Sequence, residues 1–471
     1  MNLDSARLLV VGAGLMGAGI AQVAAQAGHE VALFDTRDGA AEAAKAKLAA
    51  TLDGLVAKGK LTAEAVAATL ARISPVATLQ PADLVIEAIV ENLDVKRALF
   101  AELEALLPDE AVIATNTSSI SVTALARGMQ RPERLVGMHF FNPVPLMKLV
   151  EVVSGLGTAP EVAQAVFDLA ARWGKTPVHA RSTPGFIVNR IARPYYAEAL
   201  LLLQDRVAKP EVIDACLRAA GFRMGPCELM DLIGHDTNFA VTNSVFAANF
   251  FDRRFTPSLV QQELVDAGFL GRKSGRGFYR YPEGAPALAA PLPLDPPRAL
   301  RLVVHGRGAL AERLHAQWPE AERQVDSDWI GLHADGLDLR LTDGRCARDI
   351  NAHTAVFDLP LRPGGDLAYA GPVAAEPWLA ALGYTPREVL DVPGLVVART
   401  IAMLINEAAD AVQQGVCDEA GANAAMKLGV NYPAGPFEWL ARWDRRAVVA
   451  LLDRLDQHHR GERYRVSPYL R

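Results

Sequence analysis

Leu8-Leu9-Val10-Val11-Gly12-Ala13-Gly14-Leu15-Met16-Gly17-Ala18-Gly19 is the stretch whose reading decides the fold. A short apolar run ends on glycines, and an Ala-rich segment of helical character follows. Strand, tight turn and helix in that order are the setting in which G-x-G-x-x-G becomes a dinucleotide fingerprint. The first glycines allow a sharp turn and close approach of backbone to a pyrophosphate. The helix N-terminus then offers amide donors at Leu15, Met16 and Gly17. A second apolar run, 29–35, ends on Asp35, placed to accept from the adenosine ribose and to repel a 2′-phosphate. NAD is therefore expected rather than NADP, with Arg37 as the one nearby feature that would suit the extra phosphate. A glycine-rich turn with no ligand is the alternative.

Outward from that turn, residues 7–12, 29–35, 83–89, 111–116 and 134–140 are apolar strand-like runs with helical segments between them. That alternation predicts a parallel sheet covered on both faces. Residues 36–72 are helical with a break near Lys58-Gly59-Lys60, which predicts a helical hairpin after the second strand. From Thr183-Pro184-Gly185 to about Tyr281 the pattern is helical, with Thr183 as cap and Pro184 at the first helical position. A Pro/Ala-rich linker, 282–297, leads to a mixed region beginning with Arg301-Leu-Val-Val.

The chain also repeats itself. Thr183-Pro-Gly-Phe-Ile-Val-Asn-Arg returns as Val392-Pro-Gly-Leu-Val-Val-Ala-Arg, and Met224-Gly-Pro-Cys-Glu-Leu as Ala434-Gly-Pro-Phe-Glu-Trp. Both matches share one separation of about 210 residues, too consistent for chance. The expected architecture is an α/β Rossmann-type domain (1–182), an all-α domain (183–281), a small α/β insert (298–390) and a second all-α copy (391–471).

A net charge of -6 leaves no electrostatic footprint for nucleic acid or an anionic membrane. No apolar run approaches the roughly 20 residues of a membrane span. Cys216, Cys227, Cys346 and Cys417 have no metal-site spacing, so reduced thiols, no metal and a cytoplasmic location are expected. The N-terminus has no basic segment of the kind that opens a signal peptide.

Among ten histidines, His139 stands out because it ends an apolar strand on the side where such sheets bind ligands. Glu151 lies within Leu149-Val-Glu-Val-Val, where an unpaired carboxylate would be costly. If 134–140 and 148–154 pair across a reversal at Pro145, position 139 faces 151. A carboxylate there would fix the imidazole tautomer and stabilise the imidazolium. Imidazole chemistry near neutrality suits removal of a hydroxyl proton and its return. A structural buried pair is the alternative.

Val11-Gly-Ala-Gly-Leu-Met-Gly-Ala-Gly, Ile89-Val-Glu-Asn, Asn116-Thr-Ser-Ser, His139-Phe-Phe-Asn-Pro-Val-Pro-Leu-Met-Lys-Leu-Val-Glu and Pro184-Gly-Phe-Ile-Val-Asn-Arg together resemble the 3-hydroxyacyl-CoA dehydrogenase family. The resemblance covers about residues 5–281, and the second helical copy extends it to the C-terminus. It implies NAD-dependent oxidation of a (3S)-3-hydroxyacyl-CoA, of 3-hydroxyadipyl or 3-hydroxybutyryl type, in fatty-acid or phenylacetate-type catabolism. His139 would be the general acid/base and Glu151 its orienting partner. Ser118 and Asn189 would hold the substrate oxygens. Glu91 and Asn116 would line the nicotinamide-ribose side, with Lys96 near the ribose. The hairpin would hold CoA phosphates, through Lys58 or Lys60.

Several of these residues have plainer readings. Ser118 could cap a helix, Asn189 could satisfy backbone groups, and Lys58 and Lys60 could be solvated. Arg193, one turn after Asn189, could hold a distal carboxylate of a dicarboxylyl substrate or simply pair with Glu198. Asn189 is matched by Ala398 in the second copy, which predicts a non-catalytic copy. In single-copy relatives this domain dimerises; here the two copies could pack within one chain, and homo-oligomers stay open. Other sheet-plus-helical dehydrogenases, of 6-phosphogluconate or 3-hydroxyisobutyrate type, favour a lysine base. A non-catalytic, nucleotide-sensing relative would not need Ser118, His139, Glu151 and Asn189 together.

Overall fold

The structure, a computed structural model, describes residues 3–289 and 295–471, so the middle of the expected linker, 290–294, lies outside the described residues. It divides into two compact units. The first holds the chain up to Arg190 together with Gln414–Val430; the second holds Ile191–Gln413 and Asn431–Arg471.

In the first unit eight strands form one sheet: β1 (Leu8–Val11), β2 (Val31–Phe34), β3 (Ile73–Val76), β4 (Leu84–Glu87), β5 (Val112–Thr115), β6 (Leu135–Phe140), β7 (Leu149–Ser154) and β8 (Thr176–Arg181). Their order is β3-β2-β1-β4-β5-β6-β7-β8. All neighbours are parallel except β6 and β7. Strands β1, β4 and β5 are buried at every position, as sheets covered on both faces require. The covering helices include α1 (Leu15–Gln26), α2 (Ala40–Ala57), α3 (Ala63–Ala71), α4 (Leu93–Leu106), α5 (Val122–Leu125) and α6 (Pro160–Arg172). Helix α6 contributes Val162, Val166 and Leu169 to the same core as Ile20 and Leu33. Each such side chain is worth roughly 1.5–3 kcal/mol when fully buried.

The α2–α3 hairpin is present, turning at Gly59 in the left-handed region (φ 66). Two strands were not anticipated. Strand β3 contains Pro75 and lies at the sheet edge, where a missing N–H is tolerated. Strand β8, with Pro177 and alternating exposure, is the other edge.

The helix expected from Pro184 starts later. Residues 183–186 form a turn, with Phe186 N–H donating to the Thr183 carbonyl (3.0 Å) and positive φ at Gly185 and Phe186. Helix α7 (Val188–Ile191) begins after it. Thr183 is not its cap, because the carboxylate of Glu151 accepts from the amides of Ile187 and Val188 instead.

The second unit contains α8 (Arg193–Gln204), further helices, and a sheet ordered β10-β9-β11-β12-β13-β14-β15. Its strands are β9 (Leu302–His305), β10 (Glu322–Gln324), β11 (Gly331–Ala334), β12 (Leu337–Leu341), β13 (Thr354–Phe357), β14 (Gly365–Ala370) and β15 (Tyr384–Glu388). The last four strands of each sheet pair in the same senses: parallel, antiparallel, parallel. Gly306 after β9 repeats Gly12 after β1. Both have positive φ, and a Cβ would meet a backbone oxygen at 2.6 Å (Trp329) and 2.5 Å (Ala88) respectively. The insert thus shares part of the first sheet's plan, although β11 is antiparallel to both β9 and β12 where β4 is parallel to β1 and β5; the likeness is hidden in the sequence because only Gly306-Arg-Gly survives of the glycine motif.

Candidate active site

The glycine turn is shaped for a ligand to approach the backbone. A Cβ on Gly17 would sit 1.7 Å from the Gly12 oxygen, whereas beside Gly14 there is open space. Gly14 is the N-cap of α1 and offers no side chain to the first amides of the helix, Leu15, Met16 and Gly17. Such amides suit a pyrophosphate. Asp35 follows β2 and accepts from the Ala13 amide (2.9 Å), tying the acid to the turn. Arg37 forks onto the same carboxylate (3.1 and 3.3 Å), and this hydrogen bonding is the main reason its pKa falls to about 2. Asp35 is therefore ionised across the neutral range, as an acceptor for ribose hydroxyls must be. The arginine that would suit a 2′-phosphate is engaged with that acid. Asp35→Ala is expected to raise KM for NAD about tenfold and to narrow the preference over NADP, measured as the ratio of kcat/KM values. An unchanged ratio would show that Asp35 does not discriminate.

Beyond β4 and β5 lies a cluster built on two carboxylates. Glu87 ends β4 with no exposed surface. It accepts from Lys96 Nζ (2.6 Å), Thr115 Oγ1 (2.7 Å) and the Ile89 amide (2.7 Å). Glu91 accepts through Oε1 from Thr117 Oγ1 (2.7 Å) and from the amides of Ser118 and Ser119 (3.0 and 3.1 Å). Burial would raise its pKa, but these donors and Lys96 hold it below the ordinary carboxylate range. Glu91 thus shapes the loop that carries Ser118.

Lys96, expected near the ribose, is buried beside Glu91. Its side chain is 1% exposed and lies between Glu87 and Glu91, because a buried Glu87 requires a counterion. Its position makes it a support for Glu91. Sequence reasoning missed Glu87, although it carried the signal that marked Glu151: a carboxylate in an apolar strand. The helix-cap alternative for Ser118 is removed, since Ser121 caps α5 by accepting from the Ala124 amide. Asn116 Oδ1 accepts from the amide of Phe140 (2.8 Å), fixing the backbone next to His139.

Strands β6 and β7 pair with His139 opposite Glu151, the register expected from the reversal at Pro145. His139 Nδ1 lies 2.6 Å from Glu151 Oε2. The other oxygen accepts from the amides of Ile187 (3.0 Å) and Val188 (2.9 Å). Glu151 has no exposed surface, and His139 retains only 6%. An ionised carboxylate only accepts, so it selects the Nδ1–H tautomer and leaves Nε2 with a lone pair. The ring packs against Phe141 and Phe186, with centroids at 4.5 and 5.9 Å.

Asn189 follows directly on the amides that Glu151 holds, half-buried in α7. The helix Glu419–Gly429, from the second repeat, belongs to this first unit and packs on β7 and β8. A Cβ on Gly429 would meet Leu149 Cδ2 at 2.8 Å and Val188 Cγ2 at 3.0 Å. Arg190 donates to Gln414 Oε1 (2.9 Å), and the Arg181 amide to the Val416 carbonyl (2.9 Å). The short segment 414–430 thus braces both the strand of Glu151 and the helix of Asn189. Nothing in the repeat alone signalled this.

Lys58 and Lys60 lie exposed at the tip of the α2–α3 hairpin. In the second unit, Arg193 opens α8 and is 6% exposed. It donates to Thr242 Oγ1 (3.2 Å) and lies 4.8 Å from the Tyr196 ring centroid. It does not pair with Glu198, whose oxygens take Arg399 (2.9 Å), Arg463 (3.0 Å) and Tyr464 (2.9 Å).

Residues 7–183 match the family model described as 3-hydroxyacyl-CoA dehydrogenase, NAD binding domain. Residues 185–281 and 394–471 match the C-terminal domain of the same family. The chain is 46% identical to the "3-hydroxyadipyl-CoA dehydrogenase" of Escherichia coli (strain K12), across 100% of this chain and 98% of the relative. It is 43% identical to the "Probable 3-hydroxybutyryl-CoA dehydrogenase" of Bacillus subtilis (strain 168), across 60% of this chain and 99% of the relative. Among solved structures, the crystal structure of 3-hydroxybutyryl-CoA dehydrogenase from Escherichia coli K12 is similar with a TM-score of 0.89 and 45% identity. That match covers 98% of this chain and 97% of the other.

Proposed function

The chain belongs to the 3-hydroxyacyl-CoA dehydrogenase family, and on that premise we propose that its substrate is 3-hydroxyadipyl-CoA or 3-hydroxybutyryl-CoA. The activity is NAD-dependent oxidation of a 3-hydroxyacyl-CoA to the 3-oxoacyl-CoA. NAD, when bound, supplies the hydride acceptor. Gly12, Gly14 and the amides of Leu15, Met16 and Gly17 receive its pyrophosphate, and Asp35 the adenosine ribose. Glu91 and Asn116 line the nicotinamide-ribose side.

His139 Nε2 takes the proton of the C3 hydroxyl, and in the reverse direction returns it to the 3-oxo oxygen. Glu151 holds the ring in the required tautomer and stabilises the imidazolium. Ser118 and Asn189 hold the substrate oxygens. What supports these roles above all is the 2.6 Å contact between His139 and Glu151, with the far oxygen of Glu151 already fixed by two amides. A carboxylate so held cannot turn away from the imidazole. Lys58 or Lys60 takes a CoA phosphate.

The domains are 1–182, 183–281, 298–390 and 391–471, and the last copy is not catalytic. Supporting this, Ala398 stands where the first copy has Asn189. The amides of Val396, Val397 and Ala398 go to Asp358, whose two oxygens both accept backbone N–H groups and which has no imidazole partner like that of Glu151. Among the described residues no helix is long and apolar enough to cross a membrane. The four cysteines are free thiols, which supports a cytoplasmic location.

The choice between the two acyl groups rests on Arg193, proposed to hold a distal carboxylate. Its rival partner Glu198 is engaged elsewhere. With acetoacetyl-CoA and NADH, nicotinamide absorbance reports the activity itself. With a panel of substrates, Arg193→Leu is expected to lower kcat/KM for the dicarboxylyl-CoA about tenfold or more. The butyryl substrate should change far less. Equal losses would remove the dicarboxylyl preference, and no turnover of any 3-hydroxyacyl-CoA would remove the catalytic reading.

A further inference from the structure

Gly19 closes the glycine-rich stretch, yet it stands in the body of α1, beyond the turn shaped for a pyrophosphate. Glycine weakens a helix interior relative to alanine. Its reason here is steric. A Cβ at Gly19 would lie 2.9 Å from Val144 Cβ and 3.6 Å from Pro145 Cδ. The bare backbone of α1 therefore seats the reversal between β6 and β7, with Val144 buried against it. On one side that reversal runs back to His139, and on the other it runs on to Glu151. Within the first unit it joins the helix of the cofactor turn to the hairpin of the proton-exchanging pair.

The reversal is held from outside as well. Its own bonds run from the amides of Leu146 (3.0 Å) and Met147 (2.9 Å) to the Pro143 carbonyl. The carbonyls of Val144 and Met147 (2.9 Å) both accept from Lys175 Nζ. Lys175 stands between α6 and β8, and the amide of the next residue, Thr176, donates to the Lys148 carbonyl (2.7 Å). The Lys175 side chain is buried, and among the described residues no carboxylate pairs with its ammonium. The charge that acts on it is the like charge of Lys148, whose Nζ donates to the Gly174 carbonyl (3.2 Å). Burial, with this repulsion added, brings the Lys175 pKa down to about 8.

A buried ammonium without a counterion is costly, and a methionine would fill similar space without that cost. What the lysine adds is several donors on one atom, enough to clamp two backbone carbonyls at once. We propose that Lys175 is a positioning residue for the dehydrogenase reaction: through the carbonyls of Val144 and Met147 it seats the β6–β7 reversal on Gly19 and so fixes His139 relative to the cofactor helix. It acts through the backbone of the reversal and not on the reacting atoms. The proposal rests on the dehydrogenase reading above and adds to it a residue that no motif marked.

The test is acetoacetyl-CoA reduction by NADH in the parent chain, Lys175→Met, Val144→Ala and the double variant. Each is assayed well below its thermal midpoint, with NADH-binding sites counted by fluorescence titration. Lys175→Met is expected to lower kcat per NADH-binding site about tenfold, because a small misplacement of a reacting group is enough to slow the chemical step. The Kd for NADH should stay close to that of the parent, since the glycine turn is untouched. The isotope effect with NADH deuterated at C4 should rise as hydride transfer becomes limiting. Val144→Ala removes the contact with Gly19 and should show the same pattern more weakly. The double variant should lose little more than Lys175→Met, since both changes break one linkage. An unchanged kcat per NADH-binding site in Lys175→Met, even with a lowered midpoint, would overturn the proposal, as would strictly additive losses. Should Lys175→Met fail to fold, Val144→Ala decides alone, and a parental kcat and isotope effect there would overturn the seating of the reversal. A parent chain that binds NADH but does not turn over removes the dehydrogenase reading, and the proposal with it.

Discussion

His139→Gln is expected to lower kcat by about a thousandfold while leaving KM for NAD and the thermal midpoint close to those of the parent chain. Glutamine fills much of the imidazole volume and can still donate to Glu151, so the β6–β7 pairing is not stressed. What is lost is the group that exchanges a proton, and general acid–base catalysis is commonly worth 10²–10⁴. Glu151→Gln should cost nearly as much for a different reason. One carboxylate oxygen takes two amides and the other takes Nδ1–H, so both must accept. An amide offers one acceptor. It must either present its NH2 to Nδ1, forcing the wrong tautomer, or present it to Ile187 and Val188, releasing the start of α7. The double variant should be little worse than His139→Gln alone, because the two side chains act as one unit. Strictly additive losses would show that they do not.

The site was legible in the sequence wherever chemistry and periodicity coincided. Asp35, His139 and Glu151 each end or interrupt an apolar run, and a polar group in such a place needs a reason. The register of β6 and β7 followed because side chains alternate with period two and Pro145 fixes the reversal. The burial of Lys96 was not legible, because its sequence neighbours look like an exposed helix start and its partner Glu87 was overlooked. The brace from 414–430 was not legible at all. A helical repeat says which residues form helices, but not that Glu419–Gly429 packs on β7 and β8 while Val397–Gln413 lies beside α8 in the second unit. Such pairing depends on contacts between residues more than 200 apart, and local patterns carry none of that information. The likeness of the second sheet to the first was hidden for a related reason. The pairing senses of its last four strands and its glycine turn persist, while the residues that made the first turn recognisable do not.

Removal of residues 391–471 is expected to leave a chain that neither folds nor turns over, and the reason can be read in each unit separately. In the first unit the deletion strips the 414–430 segment from β7 and β8, exposing the strand that carries Glu151. In the second it takes away Arg399, Arg463 and Tyr464, which together surround Glu198. Glu198 has no exposed surface. It also takes Glu407 and Asp410 from Arg254, which is 2% exposed. Uncompensated buried charges cost about 3–5 kcal/mol each, so two such sites rival the whole stability of a domain. A milder variant isolates the charge effect. Burial alone would raise the pKa of Glu198, but Arg463, Arg399 and Tyr464 hold it below the ordinary carboxylate range. A depressed carboxylate contributes stability above its unfolded pKa and loses it as pH falls through the folded value. Arg399→Met removes part of that depression while keeping the buried stem. It should lower stability by about 3 kcal/mol near neutrality and move the midpoint of acid unfolding to higher pH. An unshifted acid midpoint would mean that the pair packs without bearing charge. A stable, fully active chain lacking 391–471 would mean that the second helical copy is an appendage.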